Sequence, residues 1–155
     1  MDTTIADALD DAGIPHRIAR FDPTLSADAA ADSIGLPTAA MARTLAMASM
    51  PAVVLAVLPG LACLDLDALR RHLGENRTMP LNDVALERMT GFRPDTITPL
   101  PQPGRRRFRV IVDASLLTRP EVSVAGGEPG LAIAMTPSDL LRATGGEAAE
   151  LMRVR

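Results

Sequence analysis

Residues 41–47 read Met-Ala-Arg-Thr-Leu-Ala-Met, and they decide the fold. They follow a short helical segment and open the most apolar part of the chain, the runs Thr44 to Met50 and Ala52 to Leu58, separated by Pro51. Two apolar runs of strand length joined by so short a link predict paired strands of a central sheet. Arg43 and Thr44 then place a charge and a hydroxyl at the mouth of a buried strand, a position suited to a site.

Upstream of that stretch, Ile5, Ala8, Leu9 and Ala12 fall at helical spacing with Asp7, Asp10 and Asp11 on the other side. A first amphipathic helix is expected from Thr3 to Ala12, ended by Gly13. Residues 15–21 alternate loosely before Asp22-Pro23, which predicts a short strand and a turn. Ser26 is placed to cap a second helix through Ala27 to Ile34, stopped by Gly35 and Pro37, with a brief helical piece at 38–42.

Downstream, Asp65 caps a helix through Leu66, Leu69 and Leu73 that Gly74 ends, and Asn82 caps another through Leu86 and Met89 that Gly91 ends. A proline-rich loop covers 94–104. Phe108 to Val112, Glu121 to Val124 and Leu131 to Met135 read as strands, with a tight glycine turn at 126–130. Thr136-Pro137-Ser138-Asp139 starts a last helix that runs to about Ala143, with a capping hydroxyl and proline at the first helical position. Beyond Gly145-Gly146, residues 147–153 read either as a short extra helix or as a frayed end. The expected architecture is a single mixed α/β domain over 1–144, with a central mixed sheet or partial barrel flanked by helices, and a tail over 145–155.

Composition narrows the chemistry. All sixteen basic residues of this 155-residue chain are arginine, so a side-chain Schiff base or any mechanism that titrates a lysine amine is excluded. The only rings are Phe21, Phe92 and Phe108, too few to stack a long single strand of bases. The net charge of −3 argues against general nucleic-acid coating and leaves room for a local basic patch. One cysteine and two histidines offer no metal-ligand spacing, so no metal or cofactor is expected; Cys63, in an apolar setting, is expected to be a small buried side chain. His16 and His72 have no acid or nucleophile beside them in sequence. The Asp2-Thr3-Thr4-Ile5 start lacks the basic, apolar character of an export signal, and Pro59-Gly60 breaks the longest apolar stretch well short of a membrane span, which fits a cytoplasmic protein.

Three segments, taken in order, resemble the YbaK/prolyl-tRNA-editing family of small aminoacyl-tRNA deacylases and synthetase-associated editing domains. They are Ala30 to Leu45, with Gly35-Leu36-Pro37 before Arg43-Thr44-Leu45; Leu64-Asp65-Leu66-Asp67-Ala68-Leu69; and Val122 to Ile133, with Gly126, Gly127 and Gly130 in a glycine-rich turn. The resemblance implies a trans-acting hydrolase of the ester on a mischarged tRNA, whose partner is the aminoacylated acceptor end, with no membrane and no DNA involved. Whether the chain is a monomer or a homodimer stays open.

Carried over by position, Arg43 stands where the family has a lysine and Thr44 matches the threonine after it. The glycine turn supplies Gly126, Gly127 and Gly130, and Phe21, Pro101, Ala125 and Ala132 stand where many members carry tyrosine, glycine, serine and aspartate. The implied catalytic set is Arg43, Thr44 and Gly127, and Phe21, Pro101, Ala125, Gly126 and Gly130 are the implied substrate contacts. Backbone N–H groups of the turn suit a tetrahedral oxyanion, and arginine adds positive charge while being a poor general base. The dense basic run Arg105-Arg106-Arg107 reads either as a contact for acceptor-stem phosphates or as a solvated hairpin strand. The alternative to hydrolysis is a lapsed member of the same family that binds a tRNA end, a small ligand or a protein.

Overall fold

A computed structural model describes residues 4–153. Eight strands and five α-helices run in the order α1 Ile5–Asp11, β1 Arg17–Arg20, α2 Ala27–Ser33, β2 Arg43–Ser49, β3 Ala52–Leu58, α3 Leu66–Leu73, β4 Met79–Pro80, α4 Asp83–Thr90, β5 Arg109–Asp113, β6 Val122–Ala125, β7 Leu131–Met135, α5 Pro137–Thr144 and β8 Glu147–Ala149. The predicted caps are in place. Ser26, Asp65, Asn82 and Thr136 each accept a backbone N–H of their helix, and Gly74, Gly91 and Gly145 end α3, α4 and α5 in the left-handed conformation that glycine adopts without strain.

The strands form two sheets. One has the order β1-β7-β6 and is antiparallel throughout; the other has the order β4-β2-β3-β5-β8 and is mixed, because β5 runs parallel to both β3 and β8. A single parallel bridge from Met41 to Ser123, with Ala42 N–H donating to Ser123 O at 2.8 Å, joins the start of β2 to β6 and links the sheets. The β2–β3 pair turns at Met50-Pro51, whose peptide is cis.

β3 shows why the Ala52 to Leu58 run is apolar without alternation: it lies inside its sheet and both faces are covered. Val53, Leu55 and Val57 join the main core with Ile5 and Leu9 of α1, Val124 and Ile133 of the smaller sheet, and Leu140 of α5. Val54, Ala56 and Leu58 face the other way onto Leu69 of α3 and Leu151. Outside the smaller sheet, Ala19 and Ala132 pack on Ile34, Leu36 and Ala40.

Four expectations need correction. The segment after Gly146 is neither helix nor frayed: β8 pairs with β5, Leu151 is fully buried, and its N–H donates to Asp113 Oδ1 at 2.7 Å. Its strand character comes from the open edge of β5, a partner that local sequence does not display. Cys63 is exposed, because the loop leaving β3 turns through Leu61 at φ 68° and presents the thiol to solvent. Residues 105–107 precede β5, which begins at Arg109, and are not part of a hairpin strand. The helical piece at 38–42 is a three-residue 3₁₀ turn, Thr38–Ala40. The first helix begins after a capping box between Thr4 and Asp7; the expectation that it starts at Thr3, the reading of Asp2 and Thr3 as free of an export signal, and the last two tail residues lie outside the described residues.

Candidate functional site

The β6–β7 hairpin closes through Gly126 N–H to Leu131 O at 2.9 Å and Leu131 N–H to Glu128 O at 3.3 Å. Gly127 and Gly130 have φ of 94° and 74°, the left-handed region where side chains are strained. At Gly130 the space is also closed, since a Cβ would sit 2.6 Å from Phe21 O, while Phe21 N–H donates to Gly130 O at 2.9 Å. Among the described residues the N–H groups of Gly127 and Glu128 donate to no protein atom, and both residues reach solvent. A turn with unengaged donors is a seat for a carbonyl oxygen or an anion.

Those donors border a cleft of about 390 Å³ whose apolar wall is Ile5, Ala6, Ile18, Leu131 and Ile133, and whose polar rim is Gln102, Arg105, Arg20 and Glu128. Arg20 and Glu128 pair across the rim at 3.0 Å, both well exposed. Gln102 holds a buried side-chain oxygen with no hydrogen-bond partner among the described residues, and its Nε2 lies 3.1 Å from where a Gly127 Cβ would stand. Sequence reasoning missed Gln102 and Ile5. Nothing near either residue in the chain announces the glycine turn, which reaches them only through folding.

Arg43 and Thr44 occupy a different place. Consecutive strand residues point to opposite faces, so Arg43 shares a face with Leu45 and Met47, and Thr44 shares one with Ala46. The Arg43 guanidinium donates to Ala62 O at 2.6 Å. Thr44 is 8% exposed and its hydroxyl has no partner among the described residues. Both line a cleft of about 600 Å³ along the β2 edge, walled by Leu64, Leu81 and Ile97 and rimmed by Asp83 and Arg153. No residue of the 125–130 segment lines that cleft, and Gly127 borders the other one.

Other positions do converge. Ala125 and Ala132 are directly paired across β6 and β7, and Phe21 packs against Ala132. The parallel bridge of Met41 to Ser123 sets Arg43 and Ala125 two residues further along on that same face. Beside Arg43, Ala125 and Ala132 are apolar and small where the family resemblance leads one to expect hydroxyl and carboxylate groups. Pro101 lies on the loop facing α1 and α5.

The basic run is exposed and each arginine is held differently. Arg106 lies over the Phe108 ring at 5.3 Å, Arg107 donates to Ala143 O at 3.1 Å, and Arg105 reaches the rim of the glycine cleft. His72 gains a partner that its sequence neighbours did not show: it lies 3.0 Å from Glu147, which also binds Arg109 in a two-point pair. The Arg109 guanidinium, with help from His72, holds the Glu147 carboxyl down at about 2. Among the described residues no cluster of His, Cys, Asp or Glu is placed to hold a metal ion, and no helix is long and apolar enough to cross a membrane.

Comparison with known proteins places this geometry in a family. The protein "Putative Cys-tRNA(Pro)/Cys-tRNA(Cys) deacylase EbsC" of Enterococcus faecalis is 27% identical over 128 residues, covering 82% of this chain and 77% of its own. A solved structure described as "a putative trans-editing enzyme for prolyl tRNA synthetase" superposes with a TM-score of 0.85 at 25% identity, covering 97% of this chain and 95% of that one. The hypothetical protein APE2540 shares the fold, with a TM-score of 0.83 at 22% identity over 96% of this chain and 99% of its own. The family model described as the aminoacyl-tRNA editing domain matches residues 22–143, most of the chain, and this protein belongs to that family.

Proposed function

We propose that this protein is a trans-acting aminoacyl-tRNA deacylase that hydrolyses the ester of a mischarged tRNA at the glycine turn. The observation that carries the reading is the pair of unengaged N–H groups at Gly127 and Glu128, beside an apolar cleft in a chain of the editing family. Water adds to the ester carbonyl, and the N–H pair stabilises the oxyanion that forms. The bond to the ribose oxygen then breaks, releasing the amino acid and a free terminal hydroxyl. Ile5, Ile18 and Ile133 receive the amino-acid side chain.

No lysine is available as a base and arginine stays charged, while the one carboxylate on the cleft among the described residues, Glu128, is paired with Arg20 at its outer rim. In this reading the proton therefore leaves through the substrate's own hydroxyl or thiol, or through a bound water. Arg43 anchors the substrate from the β2 edge with Thr44 packed behind it, Phe21 and Ala125 shape its surroundings, and the Arg105-Arg106-Arg107 run meets phosphates of the tRNA's acceptor end. The working domain includes β8 and Leu151.

A second reading, a family member that binds the aminoacylated end without hydrolysing it, is favoured by one observation: Phe21, Ala125 and Ala132 form an apolar junction. A panel of mischarged tRNAs separates the two. Release of amino acid well above the spontaneous rate supports hydrolysis. Salt-sensitive tRNA binding without turnover, or turnover gained only in Arg43→Lys, supports the lapsed enzyme.

A further inference from the structure

We propose that the groove between α1, the 101–107 loop and α5 carries the single-stranded 3′ end of the RNA into the glycine cleft, held through its phosphates by Arg105, Arg107 and Arg142. The identity of the strand rests on the deacylase reading; the groove itself does not. It has a volume of about 710 Å³ and an apolar floor that includes Ala8, Leu9 and Ile14. Gln102, Pro103 and Arg105 line both this groove and the glycine cleft, so the two share a wall, with the Arg105 guanidinium lying against Gly91 at the end of α4.

The cations are pre-positioned. Arg107 donates to Ala143 O at 3.1 Å and Arg142 to Gly13 O at 3.3 Å. A guanidinium has five N–H donors, so one carbonyl leaves the others for phosphate oxygens, and an anchored fork loses less freedom on binding. Three arginines line the groove against one carboxylate, Asp11; a second carboxylate, Asp139, lies 3.6 Å from Arg142. No aromatic side chain lines it, so bases have nothing to stack on and the contact is with the backbone, tolerant of sequence.

The test is fluorescence anisotropy with a labelled RNA hairpin ending in an unpaired ACCA overhang, compared with the same hairpin cut blunt, across a salt series. The overhang hairpin is expected to bind more tightly than the blunt one. Removing one groove arginine, as Arg107→Ala or Arg142→Ala, is expected to reduce the slope of log affinity against log salt by about 0.7. Arg142→Lys should keep the slope, Asp11→Asn should tighten binding, and Arg71→Ala on α3 should change nothing. Equal affinity for overhang and blunt hairpins, or an unchanged slope in Arg142→Ala, overturns the groove. If Arg107→Ala fails to fold, Arg142→Ala and Asp11→Asn still decide. Groove-dependent binding without ester hydrolysis would remove the deacylase reading and leave the groove; hydrolysis indifferent to these variants would do the reverse.

Discussion

The two clefts hold opposite resources. The β2-edge cleft has the charge that the family resemblance singles out, with the Arg43 guanidinium tethered by Ala62 O and the hydroxyl beside it, on Thr44, buried and pointing to the other face. The glycine cleft has no such emblem in sequence, yet its turn presents N–H groups that donate to no protein atom among the described residues, beside an apolar wall and Arg105. Hydrolysis needs stabilisation at the reacting carbonyl, which is why the proposed mechanism puts the chemistry at the turn and anchoring at Arg43.

That contrast can be broken by experiment. The largest effect is expected at Leu151, fully buried beneath the five-stranded sheet: Leu151→Ala should lower unfolding free energy by about 2–5 kcal/mol in urea titration. A variant as stable as wild type would mean that the C-terminal segment does not brace this sheet. Gly130→Ala comes next. Its Cβ would press on Phe21 O at a positive φ, so a loss of about 1–3 kcal/mol and a lowered Tm are expected, confined to the smaller sheet.

Arg43→Ala should leave stability within about 0.5 kcal/mol of wild type, since the side chain is exposed and makes one hydrogen bond to Ala62. Deacylation should fall through KM rather than kcat; a collapse of kcat instead would move the chemistry to the β2 edge.

The smallest effect is a pH dependence at the β5–β8 edge. Glu147 titrates at about 2 in the folded chain against an ordinary 4.5, so its stabilising contribution is complete above the ordinary value and is lost as pH falls toward 2. Glu147→Gln should flatten the fall of Tm between pH 5 and 2 and leave the profile above pH 6 with the same shape. An unchanged acid limb would show that the Arg109 pair is too solvent-screened to matter.

Much of the fold was legible because its signals are local. Caps at Ser26, Asp65, Asn82 and Thr136, and glycines at the helix ends, act within one turn of chain, and the β3 run is apolar because both of its faces are covered. What stayed hidden depends on distant partners. β8 is a strand only because β5 has an open edge, and Cys63 faces solvent because Leu64, not the cysteine, turns toward the core.

The site divides in the same way. The glycine turn could be read from positive-φ requirements, whereas the parity of strand residues, which sets Arg43 and Thr44 on opposite faces, becomes decisive only once the register of β2 is known. Gln102 and Arg142 carry no local mark at all. They join the site through the packing of the 101–107 loop on α1 and α5.

The most direct measurement is single-turnover deacylation of a mischarged tRNA by wild type, Gly127→Ala and Arg43→Ala side by side. A Cβ at Gly127 would lie 3.1 Å from Gln102 Nε2 and 3.2 Å from Ile5 Cδ1, crowding the seat of the carbonyl. The expected result is a rate loss of about a hundredfold or more in Gly127→Ala, on the scale of a removed oxyanion donor, and a smaller loss in Arg43→Ala. Full activity in Gly127→Ala, or no turnover by the wild-type protein, would contradict hydrolysis at the glycine turn.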